Sequence, residues 1–314
     1  MVYIGIDVGG TGVQVGVVSE QGQILATDSF PTGVGRPYQE MVQDMVRCTK
    51  SAVTKAGLTL EDVKSIGLGI PGIADAKTGT VIFCTNLGWR DIPLRAEIQK
   101  YIDKPVYIDN DATVAGLAES VTGVSANTDS SVFLTLGTGV GGGIIIHGKV
   151  WSGSHGVGSE IGHMILKMGG EPCTCGNHGC VERYCSATAI IRMAREAVKE
   201  HPESAILTAA KGDPANINAK IVFDAAKAGD PVGMQVFREY VSYLAQAISN
   251  IIQFLDPEVI ALGGGVSKAG DFLLNAVREE VPHYLLYKNI PAARIELAKL
   301  GADAGIIGAA MLGA

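Results

Sequence analysis

The sequence has little charge, few aromatic residues and no excess of basic side chains. Charged residues make up 18% of its 314 residues and aromatic residues 6%, whereas 47% are hydrophobic. The 25 basic and 32 acidic residues give a formal net charge of −7. Because binding to nucleic acid or an anionic membrane usually requires a basic surface, we expect neither as a partner and favour small-molecule substrates.

Long apolar runs are absent as well. No stretch approaches the roughly 18 apolar residues of a membrane-spanning helix. The first apolar run ends at Asp7, and it lacks the basic segment that opens a secretory signal peptide. We therefore expect a cytoplasmic location and a chain long enough for two packed domains.

Cysteine is scarce, and half of it is concentrated in one place. Three of the six cysteines lie in the stretch EPCTCGNHGC, residues 171–180. A disulfide framework, a metal site and a redox pair are all open at this point, although a reducing cytoplasm disfavours the first. Cys48, Cys84 and Cys185 are expected to be ordinary buried thiols.

Short strand-like runs and helical patterns alternate along the first part of the chain. VYIGID, VQVGVV and ILATDSF read as a meander of strands, and a helical period over 38–56 leads to the strand SIGLGI. PVYIDND is a further strand, and the helix after it would be capped by Asn110 or Asp111. This order predicts a mixed β-sheet with crossover helices.

The same layout then recurs. SVFLTLGTGVGGGIIIHGKV reads as a strand, a glycine-rich turn and a strand, and a long helix over 231–255 precedes the strand in DPEVIALGGGV. Two similar α/β halves are the natural interpretation.

A glycine-rich turn containing a threonine occurs in each half. DVGGTG spans 7–12 and LGTGVGGG spans 136–143, and each joins two apolar strands. Glycine lets a backbone approach a phosphate closely, and a threonine hydroxyl adds a donor, so we interpret both turns as phosphate loops rather than plain hairpins. A dinucleotide fold is disfavoured, because the GxGxxG match in the second turn leads into a strand instead of a helix.

Seven short motifs occur in the order found in one known family. DVGGTG, GIPG, DNDA, LGTGVGGG, GSEIGHM, CTCGNHGCVE and ALGGGVS together resemble the ROK family of sugar kinases over essentially the whole chain. The resemblance implies the actin-like ATPase fold shared with hexokinases, an α/β fold with two domains around a cleft. The expected domains are 1–109, with the helix near 303–314 packed back on it, and 110–302, which carries the cysteine cluster.

The resemblance also implies which residues bind sugar and metal. It makes Asp111 the general base. For the cysteine cluster it favours a metal site, because a redox pair would require neither His163 nor a third cysteine. The expected hexose contacts are Gly72, Asn86, Asn110, Asp111, Glu160, His163 and Glu182. The expected ligands of a structural zinc ion are His163, Cys173, Cys175 and Cys180.

The implied reaction is transfer of the γ-phosphoryl group of ATP to the 6-hydroxyl of glucose, with Mg²⁺ as cofactor. Asp7 would hold magnesium or its waters, and the segment GGGVS would lie beside adenosine. The expected nucleotide contacts are Asp7, Gly9, Gly10, Thr11, Gly137, Thr138, Gly139, Gly264 and Gly265.

Two alternative functions bear on this hypothesis. The stretch TNLGWRDIPL, residues 85–94, resembles that of glucose-phosphorylating members, but kinases for N-acetylmannosamine or N-acetylglucosamine share Asn110, Asp111, Glu160 and His163. Sugar-responsive repressors of the family carry an N-terminal DNA-binding segment, whereas strand one is expected here from Val2, with both loops intact. Family resemblance further suggests a homodimer or homotetramer.

Overall fold

The structure is a computed structural model that describes residues 1–314. The strands are β1 (Val2–Val8), β2 (Gly12–Ser19), β3 (Ile24–Pro31), β4 (Val63–Ile70), β5 (Ile73–Asp75), β6 (Thr80–Cys84), β7 (Trp89–Ile92), β8 (Val106–Asn110), β9 (Ser130–Leu136), β10 (Val140–Ile146), β11 (Lys149–Val150), β12 (Val259–Gly263) and β13 (Arg294–Leu297). The helices are α1 (Tyr38–Lys55), α2 (Leu94–Gln99), α3 (Asp111–Val121), α4 (Glu182–Cys185), α5 (Ala187–Glu200), α6 (Ala205–Ala209), α7 (Ala219–Lys227), α8 (Pro231–Leu255), α9 (Asp271–Glu280) and α10 (Ala304–Met311).

Two five-stranded sheets share one strand arrangement. The first has the order β3-β2-β1-β4-β8 and the second the order β11-β10-β9-β12-β13. In the first sheet β1 pairs antiparallel with β2 and parallel with β4, and β4 pairs parallel with β8. In the second, β10 and β11 are antiparallel and β12 and β13 parallel. The predicted repetition of an α/β layout is therefore confirmed, with a small antiparallel sheet β5-β6-β7 added.

Burial along the strands follows from their places in the sheet. β4 is buried at every position except Lys64, as expected for a parallel strand covered on both faces. The edge strand β3 alternates between partly buried and exposed residues over most of its length. The helices predicted over 38–56 and 231–255 are confirmed as α1 and α8.

Two layers of apolar side chains cover the first sheet. One layer is formed with α1 and α2, whose Met41, Met45 and Ile98 are almost completely buried in a single cluster with the sheet. The other layer joins α3 and α10, through residues such as Leu117 and Ile306. This layer matters for function because α3 begins at Asp111.

The layer of α3 and α10 is packed backbone against backbone. A Cβ atom on Gly67 would overlap the carbonyl oxygen of Ala309, and one on Gly5 would overlap the same helix. A Cβ atom on Gly308 would overlap the carbonyl oxygen of Val114 in α3. Since side chains larger than hydrogen cannot fit at these positions, glycine fixes how closely α10 approaches the sheet and α3.

Contacts divide the chain into two compact units. The first unit comprises residues 1–133, 143–159 and 299–314, and the second comprises 134–142 and 160–298. The first unit extends beyond the domain limit expected at residue 109 because α3 packs against α10, β4 and β8. The domain limits at 109 and 302 stay a prediction.

The second unit is rich in helices. The 25-residue helix α8 packs against α5, α7 and α9 and is buried along one face. Asp230 caps it by accepting a hydrogen bond from the Gly233 N–H at 2.8 Å, and Pro231 occupies its first turn, where no N–H is needed. In all of the structure, no helix combines the length and the apolar character needed to cross a membrane.

Candidate active site

The junction between β8 and α3 presents the first candidate group. Asn110 is the N-cap of α3, and its Oδ1 accepts hydrogen bonds from the N–H groups of Ala112 at 2.9 Å and Thr113 at 3.3 Å. Of the two caps that the sequence allowed, the structure selects Asn110. Asp111 is therefore the first helical residue, where the positive end of the helix dipole stabilises a carboxylate.

Gly72 connects this junction to the segment that carries Asn86. The Nδ2 atom of Asn110 donates to the carbonyl oxygen of Gly72 at 3.0 Å. A Cβ atom on Gly72, whose φ is 137°, would overlap the carbonyl oxygen of Phe83. Because Phe83 lies just before the short 3₁₀ helix of residues 85–87, these contacts bring Gly72, Asn110 and the Asn86 segment together.

Asp7, near the end of β1, is electrostatically coupled to Asp111. The pKa of Asp7 is raised from 3.8 to about 6, first by burial of its carboxyl group and second by the negative charge of Asp111. Gly305 of α10 leaves room for Asp7, because a Cβ atom there would overlap its carboxylate. Two neighbouring carboxylates of this kind are suited to share a hard divalent cation or its water ligands.

The first glycine loop is closed internally and braced from outside. The Gly9 N–H donates to the Gly12 carbonyl oxygen at 2.9 Å. The buried Thr32 donates its hydroxyl to the Gly9 carbonyl at 2.7 Å, and its N–H donates to the Thr11 carbonyl at 3.1 Å. Gly10 and Thr11 are exposed, so a ligand can reach this part of the loop.

The second glycine loop is held in a similar way. The Gly137 N–H donates to the Gly139 carbonyl at 2.9 Å, two residues on, whereas the Gly9 N–H reaches a carbonyl three residues on. Thr188, in the first turn of α5, donates its hydroxyl to the Thr138 carbonyl at 2.7 Å. The Ala187 N–H donates to the Gly137 carbonyl at 2.8 Å. Both loops are thus held by a threonine hydroxyl from a distant part of the chain.

Glu182 lies against the second glycine loop. Its Oε2 atom accepts a hydrogen bond from the Val140 N–H at 3.1 Å, and a Cβ atom on Gly139 would overlap its carboxylate. A Cβ atom on Gly162 would overlap the Val140 carbonyl oxygen. Gly162 belongs to the 3₁₀ helix 161–163 that follows Glu160 and ends at His163.

The GGGVS segment lies beside the strand that leads into the second loop. Gly264 has a φ of 85°, and its Cβ position is 2.6 Å from the Leu136 carbonyl oxygen, too close for any side chain. Ser267 fixes the turn by donating to the Gly264 carbonyl at 2.8 Å. Gly265 has open space around it, which a bound ligand can occupy.

The four residues of the cysteine cluster converge. One side-chain nitrogen or sulfur atom from each of His163, Cys173, Cys175 and Cys180 lies within 4.8 Å of the others. Cys175 Sγ and Cys180 Sγ are 3.6 Å apart, near the roughly 3.8 Å that a tetrahedral zinc ion with ~2.3 Å bonds requires. None of the six cysteines forms a disulfide, and Cys48, Cys84 and Cys185 are buried as expected.

The cluster also specifies which histidine nitrogen faces it. His163 Nδ1 is 3.7 Å from Cys173 Sγ, so Nδ1 is the atom available to a metal and Nε2 is free to donate elsewhere. The pKa of Cys175 is lowered to about 7, chiefly by a hydrogen bond from the Asn177 backbone. A thiol that ionises near neutral pH is suited to metal binding.

Several residues at these sites were not expected from the sequence. Each of them contacts a residue that was expected at the site, and they are Thr32, Asp109, Thr188 and Gly305. Asp109 is buried beside Asn110, and desolvation raises its pKa. The threonines brace loops that lie 23 and 50 residues away in sequence. No local pattern marks them, because a threonine after a strand or in a first helical turn is common.

Comparison with known proteins places these features in one family. The sequence model that defines the ROK family matches residues 3–314. The chain belongs to the ROK family. The resemblance seen in the motifs is therefore confirmed over almost the full length, and with it the actin-like ATPase fold of ROK sugar kinases.

Similar ROK proteins include two curated glucokinases and one solved structure. The chain is 38% identical to the glucokinase of Halalkalibacterium halodurans, over 99% of this chain and 94% of that protein. It is 37% identical to the glucokinase of Thermotoga maritima, over 98% of this chain and 96% of that protein. A ROK glucokinase from Streptomyces griseus, solved in complex with glucose and AMPPNP, superposes with a TM-score of 0.80 at 35% identity and 99% coverage of both chains.

The raised pKa of Asp7 predicts a pH-dependent cost in stability. The unfolded chain ionises Asp7 above about 3.8, whereas the folded state resists ionisation up to about pH 6. Stability is therefore lost as the pH rises through this window, by up to about 3 kcal/mol at ~1.4 kcal/mol per pKa unit. In magnesium-free buffer, we expect Asp7→Asn to be more stable than wild type at pH 7.5, and most of this difference to disappear near pH 4.

Urea unfolding at the two pH values measures this difference. The control is Asp103→Asn, which makes the same chemical change at an exposed carboxylate and should alter stability little at either pH. An Asp7→Asn variant that is no more stable than wild type at pH 7.5 contradicts the prediction.

Proposed function

We propose that this ROK protein is a glucokinase, which transfers the γ-phosphoryl group of ATP to the 6-hydroxyl of glucose. The observation that carries the proposal is the pair formed by Asp111, at the start of α3, and its electrostatic neighbour Asp7. The similarity to glucokinases at 36–38% identity supports glucose as the acceptor. An assembly of two or four copies stays a prediction from the family.

Asp111 acts as the general base. Its Oδ1 atom accepts a hydrogen bond from the Ala112 N–H at 2.8 Å, which holds the carboxylate at the helix start. The 6-hydroxyl of glucose donates to this carboxylate and passes its proton there as the bond from O6 to phosphorus forms. The bond from phosphorus to the β-phosphate oxygen breaks, and ADP leaves.

The two glycine loops bind the phosphates of ATP. Gly10, Thr11 and Thr138 donate to phosphate oxygens, and Gly264 and Gly265 border the adenosine. Asp7 would hold Mg²⁺ or its water ligands, and the ion would supply positive charge beside the transferring phosphoryl group. The braces from Thr32 and Thr188 hold the loop carbonyls, which limits the rearrangement needed when ATP binds.

Hydrogen bonds within the protein restrict how the glucose hydroxyls can be recognised. Asn110 uses its oxygen as the helix cap and one amide hydrogen for Gly72, so one hydrogen remains for a hydroxyl. Glu182 uses Oε2 for Val140, so Oε1 remains. Glu160 and Asn86, both exposed, complete the set of hydroxyl contacts together with the Nε2–H of His163.

The cluster of His163, Cys173, Cys175 and Cys180 fits a structural zinc ion. One imidazole and three thiols supply four ligands at tetrahedral spacing and leave no position for substrate. When bound, zinc supplies a rigid cross-link between residue 163 and the loop 173–180. Ligation of His163 through Nδ1 would keep the proton on Nε2, which would make Nε2 the donor for a sugar hydroxyl.

The general-base assignment predicts a large catalytic defect in Asp111→Asn. The amide oxygen keeps the hydrogen bond from Ala112 but cannot take the proton, so kcat should fall by about 100-fold or more. Glucose binding, measured by calorimetry without ATP, should persist. Asp103→Asn serves again as the control with normal kcat, and an Asp111→Asn enzyme with more than about half of wild-type kcat excludes this role.

The zinc assignment predicts that Cys175→Ala loses metal, stability and activity together. Cys175 is exposed, so its removal creates no cavity, and a large fall in Tm must come from lost metal binding. Elemental analysis should find about one zinc ion per wild-type chain. A chelator should lower the Tm of wild type but not that of the variant, and a zinc-free wild-type protein with full activity would refute the site.

The glucose assignment predicts an order among acceptors. Acids placed against free hydroxyls are left unpaired by a sugar that lacks one, which lowers kcat/KM for that sugar. We expect the highest kcat/KM with glucose, followed by N-acetylmannosamine or N-acetylglucosamine, and then fructose or allose. An assay coupled to ADP formation measures kcat/KM for each sugar. If kcat/KM for any N-acetylhexosamine exceeds that for glucose, the protein is a kinase for that sugar instead.

A further inference from the structure

Glu119, near the end of α3, is a fully buried acidic residue with an unusual set of partners. Its Oε1 atom accepts hydrogen bonds from the N–H groups of Lys299 and Leu300, each at 2.9 Å. Its Oε2 atom accepts from the Val124 N–H, also at 2.9 Å. Three backbone amides from two separate segments therefore converge on one carboxylate.

Placing a carboxylate here is costly, which points to a specific role. Glu119 lies in the last turn of α3, where the negative end of the helix dipole opposes an acidic side chain. A buried charge also loses its hydration and requires hydrogen-bond partners in return. Gly123 makes room for it, because a Cβ atom there would overlap the carboxylate. An apolar residue at position 119 would avoid both costs but could not hold the three amides.

The segment that Glu119 holds leads directly into α10. Residues 299 and 300 precede the 3₁₀ turn 301–303, and α10 begins at Ala304. The next residue, Gly305, lies against the Asp7 carboxylate, and Gly308 lies against the backbone of α3. Glu119 thus ties the helix that starts with Asp111 to the start of the helix that abuts Asp7.

We propose that Glu119 is a positioning residue that fixes the placement of Asp7 relative to Asp111 through the joined helices α3 and α10. Asp111 lies at one end of α3, and Glu119 lies two turns further along the helix. Glu119 therefore touches neither substrate. Its hydrogen bonds keep the entry of α10 in register with α3, and Gly305 transmits that register to Asp7. This inference rests on the proposed roles of Asp7 in magnesium binding and of Asp111 as base.

The test compares Glu119→Gln with wild type at a temperature well below both Tm values. The amide nitrogen of glutamine cannot accept a hydrogen bond. Depending on which way the amide is turned, the variant therefore loses either the bond from Val124 or the two bonds from Lys299 and Leu300. We expect kcat to fall about 10- to 100-fold and the magnesium concentration for half-maximal rate to rise, as for residues that orient metal-binding groups. The KM for glucose should stay within about twofold.

A matched control separates positioning from general destabilisation. Val53→Ala removes a buried side chain of α1, in the layer on the other face of the sheet, and lowers stability without touching α3 or α10. It should keep wild-type kcat and magnesium dependence. Glu119→Asp, which retains the charge but has a shorter arm, provides a second variant should glutamine prevent folding, and we expect the same pattern in a milder form.

The outcomes distinguish this inference from the proposed function. A Glu119→Gln enzyme whose kcat and magnesium dependence both lie within twofold of wild type overturns the positioning role. A kcat loss without any change in magnesium dependence overturns it too. A wild-type protein that does not phosphorylate glucose overturns the proposed function instead.

Discussion

The close approach of α10 to the first sheet and to α3 is the constraint on which the candidate site depends. Glycines at positions 5, 67 and 308 let backbone touch backbone at these three points, where no side chain could fit without moving the helix. Asp111 at the start of α3 and Asp7 beside Gly305 inherit their relative positions from this packing. The burial that results also raises the pKa of Asp7, so a site suited to a cation destabilises the protein that carries it.

The two glycine loops are held by similar sets of hydrogen bonds. Each connects two strands, closes on itself through a short backbone hydrogen bond and is braced by a threonine hydroxyl at 2.7 Å. A loop that is ordered before ATP arrives loses less conformational freedom on binding. The braces therefore explain how loops so rich in glycine can keep a fixed backbone conformation.

Local signals in the sequence were sufficient for much of this structure. The period of α1 and α8 and the strand runs depend on neighbours within a few residues, and these predictions were confirmed. The cap of α3 was predicted as Asn110 or Asp111, and the structure shows Asn110. The grouping of three cysteines in 171–180 was equally visible, whereas His163 was assigned to the cluster through the family resemblance.

Other features could not be predicted because they depend on contacts between distant segments. Glu119 meets Leu300 across 181 residues, and as a single acidic residue in a helix it has no distinguishing pattern. Thr32 and Thr188 look like ordinary strand-end and helix-start residues until the loops lie beside them. The roles of the individual site residues came from the family motifs, not from propensity.

The central claim is that this protein moves a phosphoryl group from ATP to the 6-hydroxyl of glucose. NMR of the products formed from glucose, ATP and Mg²⁺ tests it most directly, since ¹³C and ³¹P spectra locate the new phosphate on the sugar. The account predicts glucose 6-phosphate and ADP in equal amounts. Phosphate at the anomeric position, or ADP with free inorganic phosphate and unchanged glucose, would contradict it.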